Sequence, residues 1–161
     1  MTVTNTPKLR GYRPEDTAVL HEIDLAFQRE AGFGTPEQPF YHHDDYDDIE
    51  GVYLNDGGAF WVLDHEGEVV GFGGVLRVDD TTARLRRFRV RDSWRRRGLA
   101  TTLLLEAERF CREHGYRRVT LGTTDVQQPA QALYRKHGYV EVGERWFRPD
   151  LRDIEFEKVL S

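Results

Sequence analysis

Residues 95–100, Arg-Arg-Arg-Gly-Leu-Ala, combine positive charge and small side chains at the predicted start of a helix. Gly98 and Ala100 remove bulk where the first main-chain N–H groups of a helix point outward without partners. Those N–H groups and the partial positive charge of the helix end attract anions. The segment is therefore predicted to bind a diphosphate. Its ligand residues are predicted to be Arg95, Arg96, Arg97, Gly98, Leu99, Ala100 and Thr101.

The strand that precedes this loop, residues 83–90, alternates apolar and charged residues as a half-buried strand does. The alternation changes phase once, because Leu85 lies on one parity while Phe88 and Val90 lie on the other. An extra residue near positions 86–87 restores one apolar face, which indicates a β-bulge. A bulge leaves main-chain N–H and C=O groups unpaired, so they can bind a ligand. The predicted ligand residues here are Phe88, Arg89 and Val90.

These features resemble a known family. The segment Arg95-x-x-Gly98-x-Ala100, after a strand and at the start of a helix, resembles the acyl-CoA pyrophosphate loop of the GCN5-related N-acetyltransferase (GNAT) superfamily. The pattern Ala-x-x-Leu-Tyr-x-x-x-Gly-aromatic over residues 130–139 resembles the second motif of that superfamily, which binds the lower part of CoA. The spacing between the two motifs also fits, and the resemblance covers residues 8–160.

The predicted strands and helices that position these residues occur along the chain in the same order as in that family. The resemblance implies an α/β fold (an α+β mixed sheet), with a central, mostly antiparallel sheet of about six to seven strands and about four helices. The strands around 83–90 and 118–123 are expected to be parallel. A single domain over residues 1–161 is expected. The sequence predicts strands over 8–12, 59–63, 69–78, 83–90, 118–123, 141–147 and 154–159, and helices after Pro14, over 44–54, over 99–114 and from Pro129.

The activity implied by the resemblance is transfer of an acetyl group from acetyl-CoA, as co-substrate, to a primary amine of a small molecule or to an exposed amino group. Tyr134 matches the tyrosine of the second motif and would protonate the leaving thiolate. Its alternative is core packing with a satisfied hydroxyl. Gln127 and Ala130 are expected to contact CoA, although relatives often have asparagine where Gln127 stands.

The general base is left open by the sequence. Some relatives carry a glutamate twelve residues before the tyrosine, and that position is Gly122 here. Asp125, Glu50, or a water held by Thr123 or Thr124 are the alternatives.

The charge of the chain is unevenly distributed. The net charge is −5, yet eight arginines lie within residues 84–97 and a group of acids crowds the segment 44–56. The arginines suit an anionic ligand and the acids suit a cationic acceptor, whereas two solvated faces are the alternative. The first two helices are expected to frame the acceptor site. Its aromatic lining is predicted to be Phe33, Phe40, Tyr41 and Tyr46, and the alternative is that these are loop aromatics that face solvent.

Composition excludes several other classes of protein. Hydrophobic residues make up 39% and charged residues 32%, as in a folded globular domain. Cys111 is the only cysteine and is expected to be a core residue, while residues 42–45, His-His-Asp-Asp, are too close in sequence to converge on one ion, so no metal is expected. Residues 1–10 lack the apolar core of a signal peptide and no run is long enough to span a membrane, which favours the cytoplasm.

Two rival interpretations come from other functional classes. One is a non-catalytic acyl-CoA-binding module. The other is a nucleic-acid binder that uses the arginines, which the acidic total charge disfavours. No nucleic-acid or membrane partner is therefore expected. The oligomeric state is open, with a homodimer among the alternatives.

Overall fold

The computed structural model describes residues 6–32 and 44–161. They form one seven-stranded sheet in the order β1-β2-β3-β4-β5-β7-β6. The strands are β1 (Lys8–Gly11), β2 (Ala59–His65), β3 (Glu68–Arg77), β4 (Thr82–Val90), β5 (Arg118–Thr124), β6 (Val140–Arg148) and β7 (Leu151–Val159). The helices are α1 (Thr17–Ala31), α2 (Ile49–Val52), α3 (Leu99–Glu113) and α4 (Gln128–Lys136). The mixed α/β architecture predicted from the sequence is confirmed.

Strands β4 and β5 are parallel, as predicted, and every other neighbouring pair is antiparallel. Their pairing is short: Thr82 lies opposite Arg118, and Arg84 lies opposite Thr120, where the pairing ends. Beyond Arg84 the two strands separate. The carboxyl-terminal half of β4 and the following part of β5 therefore form the two walls of an opening in the sheet.

The predicted bulge in β4 is present. Phe72 of β3 lies opposite Arg89, whereas Gly74 lies opposite Arg86, so Gly73 faces two residues of β4. Arg87, the first of these two, has a left-handed φ of 62°. A Cβ at Gly73 would stand 2.6 Å from the ring of Phe88. Glycine is required at position 73 because that ring lies directly against the main chain.

Apolar side chains cover both faces of the sheet. On one face, α3 and α4 pack over β4, β5 and β7, with Leu104, Ala107 and Cys111 completely buried. On the other face, Leu20 of α1 and Ile49 of α2 are buried against β2 and β3. Burial raises the pKa of the Cys111 thiol to about 12, and a negative charge on Glu108 adds to the shift. Cys111 is a core residue, as expected.

A glycine follows each of three helices. Gly32, Gly115 and Gly138 follow α1, α3 and α4 with φ of 74°, 81° and 91°. In this left-handed conformation a helix can stop and its last carbonyls can be satisfied. None of the helices described is long and apolar enough to cross a membrane.

Two predicted element boundaries were wrong. The acidic segment 44–54, predicted as one helix, forms a 3₁₀ turn over Asp44–Asp48 before the four-residue α2. The last strand begins at Leu151 rather than at residue 154. Asp153 pairs with both Thr124 of β5 and Arg145 of β6, so this polar start of the strand belongs to the sheet. Phe33, Phe40, Tyr41, His42 and His43 lie outside the described residues.

Candidate active site

A cleft of about 350 Å³ occupies the opening between β4 and β5. Five elements supply its walls: residues 84–89 of β4, residues 121–123 of β5, the start of α4, and one residue each from β6 and β7. Among the predicted site residues, the cleft brings together Phe88, Arg89, Gln127, Ala130 and Tyr134. The cleft thus joins the bulge and the second predicted motif in one site.

The bulge places one main-chain segment against this cleft. Phe88 lines it with its ring, and the extra residue of the bulge has no partner of its own on β3. Arg89 also lines the cleft, and its side chain is held by Asp24 and Phe27: its Nε lies 2.9 Å from Asp24 Oδ1 and its guanidinium stacks 3.9 Å from the Phe27 ring. Val90 does not line the cleft and instead packs in an apolar cluster under β2 and β3.

A buried group of charges holds the bulge from the other side of the sheet. Arg87 donates to both carboxylate oxygens of Asp45, at 3.0 and 2.8 Å, and lies 3.9 Å from Asp24. Asp45 also accepts from the Tyr53 hydroxyl at 2.7 Å, and Asp24 accepts from the Tyr46 hydroxyl at 2.9 Å.

The ionised form of these two carboxyl groups is strongly favoured. Burial on its own would raise the pKa of Asp45, but the hydrogen bonds and charge of Arg87 outweigh it and hold that pKa below its ordinary value. The same competition at Asp24, with Arg89 and Arg87 outweighing burial, lowers its pKa as well.

This finding corrects two sequence interpretations. Tyr46 was predicted to line the acceptor site, yet it is completely buried and packs edge-on against Phe72. Asp45 was counted among the acids that attract a cationic acceptor, yet its carboxylate forms a buried ion pair with Arg87. Asp47 binds His21 at 2.8 Å and Asp48 caps α2 through the Gly51 N–H, so much of the acidic segment has structural partners.

The predicted anion loop adopts the geometry of a helix start. Gly98 is the N-cap of α3 with a φ of 77°, and a Cβ there would meet no atom within 4 Å. Its carbonyl accepts the first helical hydrogen bond, from the Thr102 N–H at 3.0 Å. The N–H groups of the three residues between them, including Ala100 and Thr101, precede that bond and belong to the unpaired start of the helix. Leu99 points its side chain into the core.

The arginines of the loop differ in their partners. Arg95 is paired with Glu30 at 2.5 Å and with Asp92 at 3.3 Å. Arg97 stacks 4.5 Å from the ring of Trp94. Over residues 6–32 and 44–161, neither Arg96 nor Arg97 forms an ion pair. Two exposed cations therefore directly precede Gly98 in the chain.

The α4 motif places Tyr134 at the cleft. The residue is 8% exposed, and its ring lies edge-on to Tyr139 with 5.8 Å between ring centroids. In the part of the chain that the structure describes, its hydroxyl has no hydrogen-bond partner. Burial raises the pKa of Tyr134 to about 12, although the charge of Arg89 works against the shift. The phenol is therefore a proton donor near neutral pH.

Gln127 fixes the end of β5 above the cleft. Its side-chain carbonyl accepts from the Thr123 hydroxyl at 3.3 Å, the Thr124 hydroxyl at 2.9 Å and the Thr124 N–H at 3.2 Å. The side-chain oxygen is thus committed to the protein. The two threonine hydroxyls, considered as holders of a water, are likewise engaged with Gln127.

Gly122 stands where some relatives carry a glutamate, so the sequence offers no general base at this position. Asp125 does not line the cleft and accepts instead from the Arg152 N–H at 3.4 Å, and Glu50 is exposed on α2. The carboxylate that does line the cleft is Asp153, which sequence reasoning missed. Strand alternation carried the available signal, since Asp153 and Glu155 lie on the parity opposite to the core residues Ile154 and Phe156.

Within residues 6–32 and 44–161, no group of three or more His, Cys, Asp or Glu side chains is arranged to hold a metal ion. The arrangement described above needs none: a cleft, a main-chain bulge, a cationic helix start, a phenol and a carboxylate can together bind a phosphorylated thioester and exchange protons with an acceptor.

Comparison with known proteins agrees with this geometry. The model of the acetyltransferase (GNAT) family matches residues 19–139. Human N-acetyltransferase 8 is 38% identical over 109 residues, which are 64% of this chain and 48% of that protein. A protein of Escherichia coli named uncharacterized N-acetyltransferase YjgM is 29% identical over 140 residues, 85% of this chain and 84% of that one.

The fold is also similar to that of solved acetyltransferase structures. An acetyltransferase structure from Streptococcus agalactiae superposes with a TM-score of 0.84 at 24% identity, covering 98% of this chain and 100% of the other. The match to human N-acetyltransferase 8 and to its relative 8B spans about half of the length of those proteins.

Proposed function

Since the chain belongs to the acetyltransferase (GNAT) family, we propose that it transfers an acetyl group from acetyl-CoA to a primary amine of a small molecule or to an exposed amino group. The observation that carries this proposal is the meeting of the β4 bulge and Tyr134 in one cleft, with the helix start at Gly98 following the same strand. A thioester bound across these features has its diphosphate at one end and its reacting carbon at the other.

Each part of the site has a role in the proposed reaction. The N–H groups at the start of α3, with Arg96 and Arg97, hold the diphosphate of acetyl-CoA. The main-chain N–H groups of the bulge around Phe88 polarise the thioester carbonyl. Gln127 and Ala130 border the pantetheine arm on the α4 side. Arg95 lies beside the loop, but its charge is paired with Glu30, so it contributes less to diphosphate binding than Arg96 and Arg97 do.

Tyr134 is the proposed general acid. A thiolate is a good leaving group, yet it leaves faster when a proton is delivered as the carbon–sulfur bond breaks. The un-ionised hydroxyl of Tyr134, which has no hydrogen-bond partner within residues 6–32 and 44–161, is suited to this delivery. Core packing alone would not require a phenol whose hydroxyl lacks a hydrogen-bond partner among the residues that the structure describes.

The proposed setting of the enzyme is a single cytoplasmic domain over residues 1–161. The one sheet that joins the described elements supports a single unit. A single, buried cysteine supports a reducing compartment. Ion pairs of Arg84, Arg87, Arg89, Arg91 and Arg95 with acids of the same chain leave little of the arginine cluster for nucleic acid.

The experiment that tests the proposal is turnover of acetyl-CoA with a panel of amines, followed by the released thiol and by mass spectrometry of the acetylated acceptor. The expected result is release of thiol that depends on both the enzyme and one class of amine. Tight binding of acetyl-CoA without acetylation of any amine would instead support a non-catalytic acyl-CoA-binding module, which the glycine at position 122 makes the relevant rival.

A further inference from the structure

Carboxylates from β7 fill the space that a side chain at Gly122 would need. A Cβ at position 122 would stand 2.6 Å from Asp153 Oδ2 and 2.9 Å from Glu155 Oε1. It would also stand 2.9 Å from Nη2 of Arg84. A side chain at position 122 would therefore occupy the same space as the two carboxyl groups. Because residue 122 is glycine, that space is filled by side chains of β7.

We propose that Asp153 is the general base that deprotonates the acceptor amine, with Glu155 and Arg84 as positioning residues. The assignment rests on the proposed acetyl transfer and adds to it the group that the sequence left open. It places the base on a different strand from the glutamate of some relatives, at the same end of the cleft.

Sheet register brings the group to this location. Gly122 pairs with Glu155, and Thr124 pairs with Asp153, in the antiparallel β5–β7 ladder. Paired residues of neighbouring strands project from the same face of a sheet, as do residues two apart on one strand. Asp153 and Glu155 therefore share the face of Gly122, opposite to the face that Ile154 and Phe156 bury under α3 and α4.

The hydrogen bonds of Arg84 distinguish Glu155 from Asp153. Glu155 is held by Arg84 through two hydrogen bonds of 2.8 and 2.9 Å, so its charge is neutralised in a fixed geometry. Within residues 6–32 and 44–161, Asp153 has no such bidentate partner, and it lines the cleft together with Tyr134 and Phe88. Asp153 is thus the carboxyl group that an amine in the cleft can reach.

The groups around Asp153 come from four strands, and three of these strands contribute charges. Burial and the neighbouring Glu155 of β7 favour the protonated form, whereas Arg84 of β4 and Arg145 of β6 favour the carboxylate, and β5 contributes only Gly122 and threonines to this face. The balance raises the pKa of Asp153 to about 7. The pKa of Glu155 is lowered, because Arg84 outweighs burial. The two carboxyl groups interact, and protonation is favoured at Asp153 rather than at Glu155.

A base in this range suits an amine acceptor. An aliphatic amine with a pKa of about 10 is almost entirely an ammonium ion at neutral pH and cannot attack a carbonyl. A carboxylate with an ordinary pKa of about 4 is a weak base toward it, whereas one close to the working pH accepts the proton more readily.

The proton and electron balance of the step is as follows. Asp153 takes one proton from the ammonium group, and the freed electron pair of nitrogen forms the bond to the thioester carbonyl carbon. The carbon–sulfur bond breaks with its electron pair on sulfur, and Tyr134 gives its phenol proton to that sulfur. The second proton lost by nitrogen as the amide forms returns to Tyr134, and Asp153 releases its own proton to water.

The test compares Asp153→Asn with wild type and with Glu157→Gln. Glu157 lies on the same strand and is paired with Arg118, away from the cleft lining, so it controls for loss of a β7 carboxylate. In wild type, kcat/KM should rise with pH up to about 7, as Asp153 becomes ionised, and then level. Asp153→Asn should lose that limb and fall by about 10²- to 10⁴-fold in kcat/KM at neutral pH, with acetyl-CoA affinity retained.

The outcomes separate the two proposals. A wild-type enzyme that acetylates amines, with an Asp153→Asn variant of equal rate and the same pH limb, would overturn the assignment of Asp153 and leave acetyl transfer in place. A wild type that acetylates no amine at any pH would overturn both. A carbon-13 titration of the Asp153 carboxyl in the wild-type protein does not depend on the variant folding, and a titration near the ordinary value of about 4 would also overturn the assignment.

Discussion

The guanidinium of Arg87 and the carboxylate of Asp45 form a buried, two-point hydrogen-bonded ion pair, with donor–acceptor distances of 3.0 and 2.8 Å. Arg87 is the residue of β4 whose left-handed main chain produces the bulge. Asp45 belongs to the segment between α1 and α2. This pair therefore links the bulge in the cleft wall to the segment Asp44–Asp48, which packs on the opposite face of the sheet.

Asp45→Ala is expected to lower the free energy of unfolding by about 3–5 kcal/mol, because it leaves Arg87 charged and without its main partner in the interior. The measurement is urea denaturation followed by circular dichroism. Asp47→Ala is the matched control, since it removes an exposed carboxylate paired with His21 and should cost no more than about 1 kcal/mol. Equal losses in the two variants would contradict a dominant role for the buried pair.

The same pair predicts how stability responds to acid. The pKa values of Asp24 and Asp45 are lower in the folded protein than in the unfolded chain, where they are about 4. Their contribution is complete above that unfolded value and is lost as the pH falls below it toward the folded pKa values. Urea midpoints measured between about pH 6 and pH 2 should therefore drop in wild type and drop less in Asp45→Ala. Parallel pH curves would show that the acid sensitivity arises elsewhere.

Gly73→Ala should disturb the site through the ring of Phe88. The new methyl would stand 2.6 Å from that ring, so either the ring or the bulge must move. We expect a destabilisation of about 1–3 kcal/mol, as for an overpacked core, together with a higher KM for acetyl-CoA. Gly11→Ala is the control, since a Cβ there meets nothing within 4 Å. A Gly73→Ala enzyme with wild-type stability and KM would show that the ring is not held as described.

Much of the cleft could be predicted from sequence because its signals are local. The phase change between Leu85 and Phe88 indicated the bulge, and the small residues after Arg97 indicated a helix start. The spacing of Ala130 and Tyr134 placed both on one face of α4, and both line the cleft. Each of these inferences needed only the residues of one short segment, and the roles of Ala130 and Tyr134 came from the resemblance of their segment to the second GNAT motif.

The residues that were missed depend on pairing between distant segments. Asp153 reaches the cleft only because β7, and not β6, is the neighbour of β5, and because Gly122 pairs with Glu155. A strand predicted to start at residue 154 excluded Asp153 at the outset. The roles of Asp45 and Tyr46 were missed for a similar reason, since their partners Arg87 and Asp24 come from other elements.

Gly98→Glu should abolish binding of acetyl-CoA by placing bulk and negative charge at the proposed diphosphate site. The substitution also carries backbone strain, because φ at position 98 is 77°. Gly67→Glu controls for that strain, since Gly67 has a φ of 89° and equally open surroundings at the β2–β3 turn. Ligand at 100 times its Kd stabilises a protein by about 2.7 kcal/mol, so wild type and Gly67→Glu should show a clear rise in Tm with acetyl-CoA. A rise of the same size in Gly98→Glu would place the diphosphate elsewhere.

The most direct measurement of the central claim is single-turnover acetyl transfer by Tyr134→Phe, with acetyl-CoA affinity measured in parallel. Phenylalanine keeps the ring that packs beside Tyr139 and deletes only the hydroxyl, which has no partner among the described residues. We predict that the rate of the chemical step falls by about 10- to 10⁴-fold while affinity and Tm stay at wild-type values. A variant that transfers the acetyl group at the wild-type rate, with chemistry shown to be rate-limiting, would contradict the role of Tyr134 as the general acid.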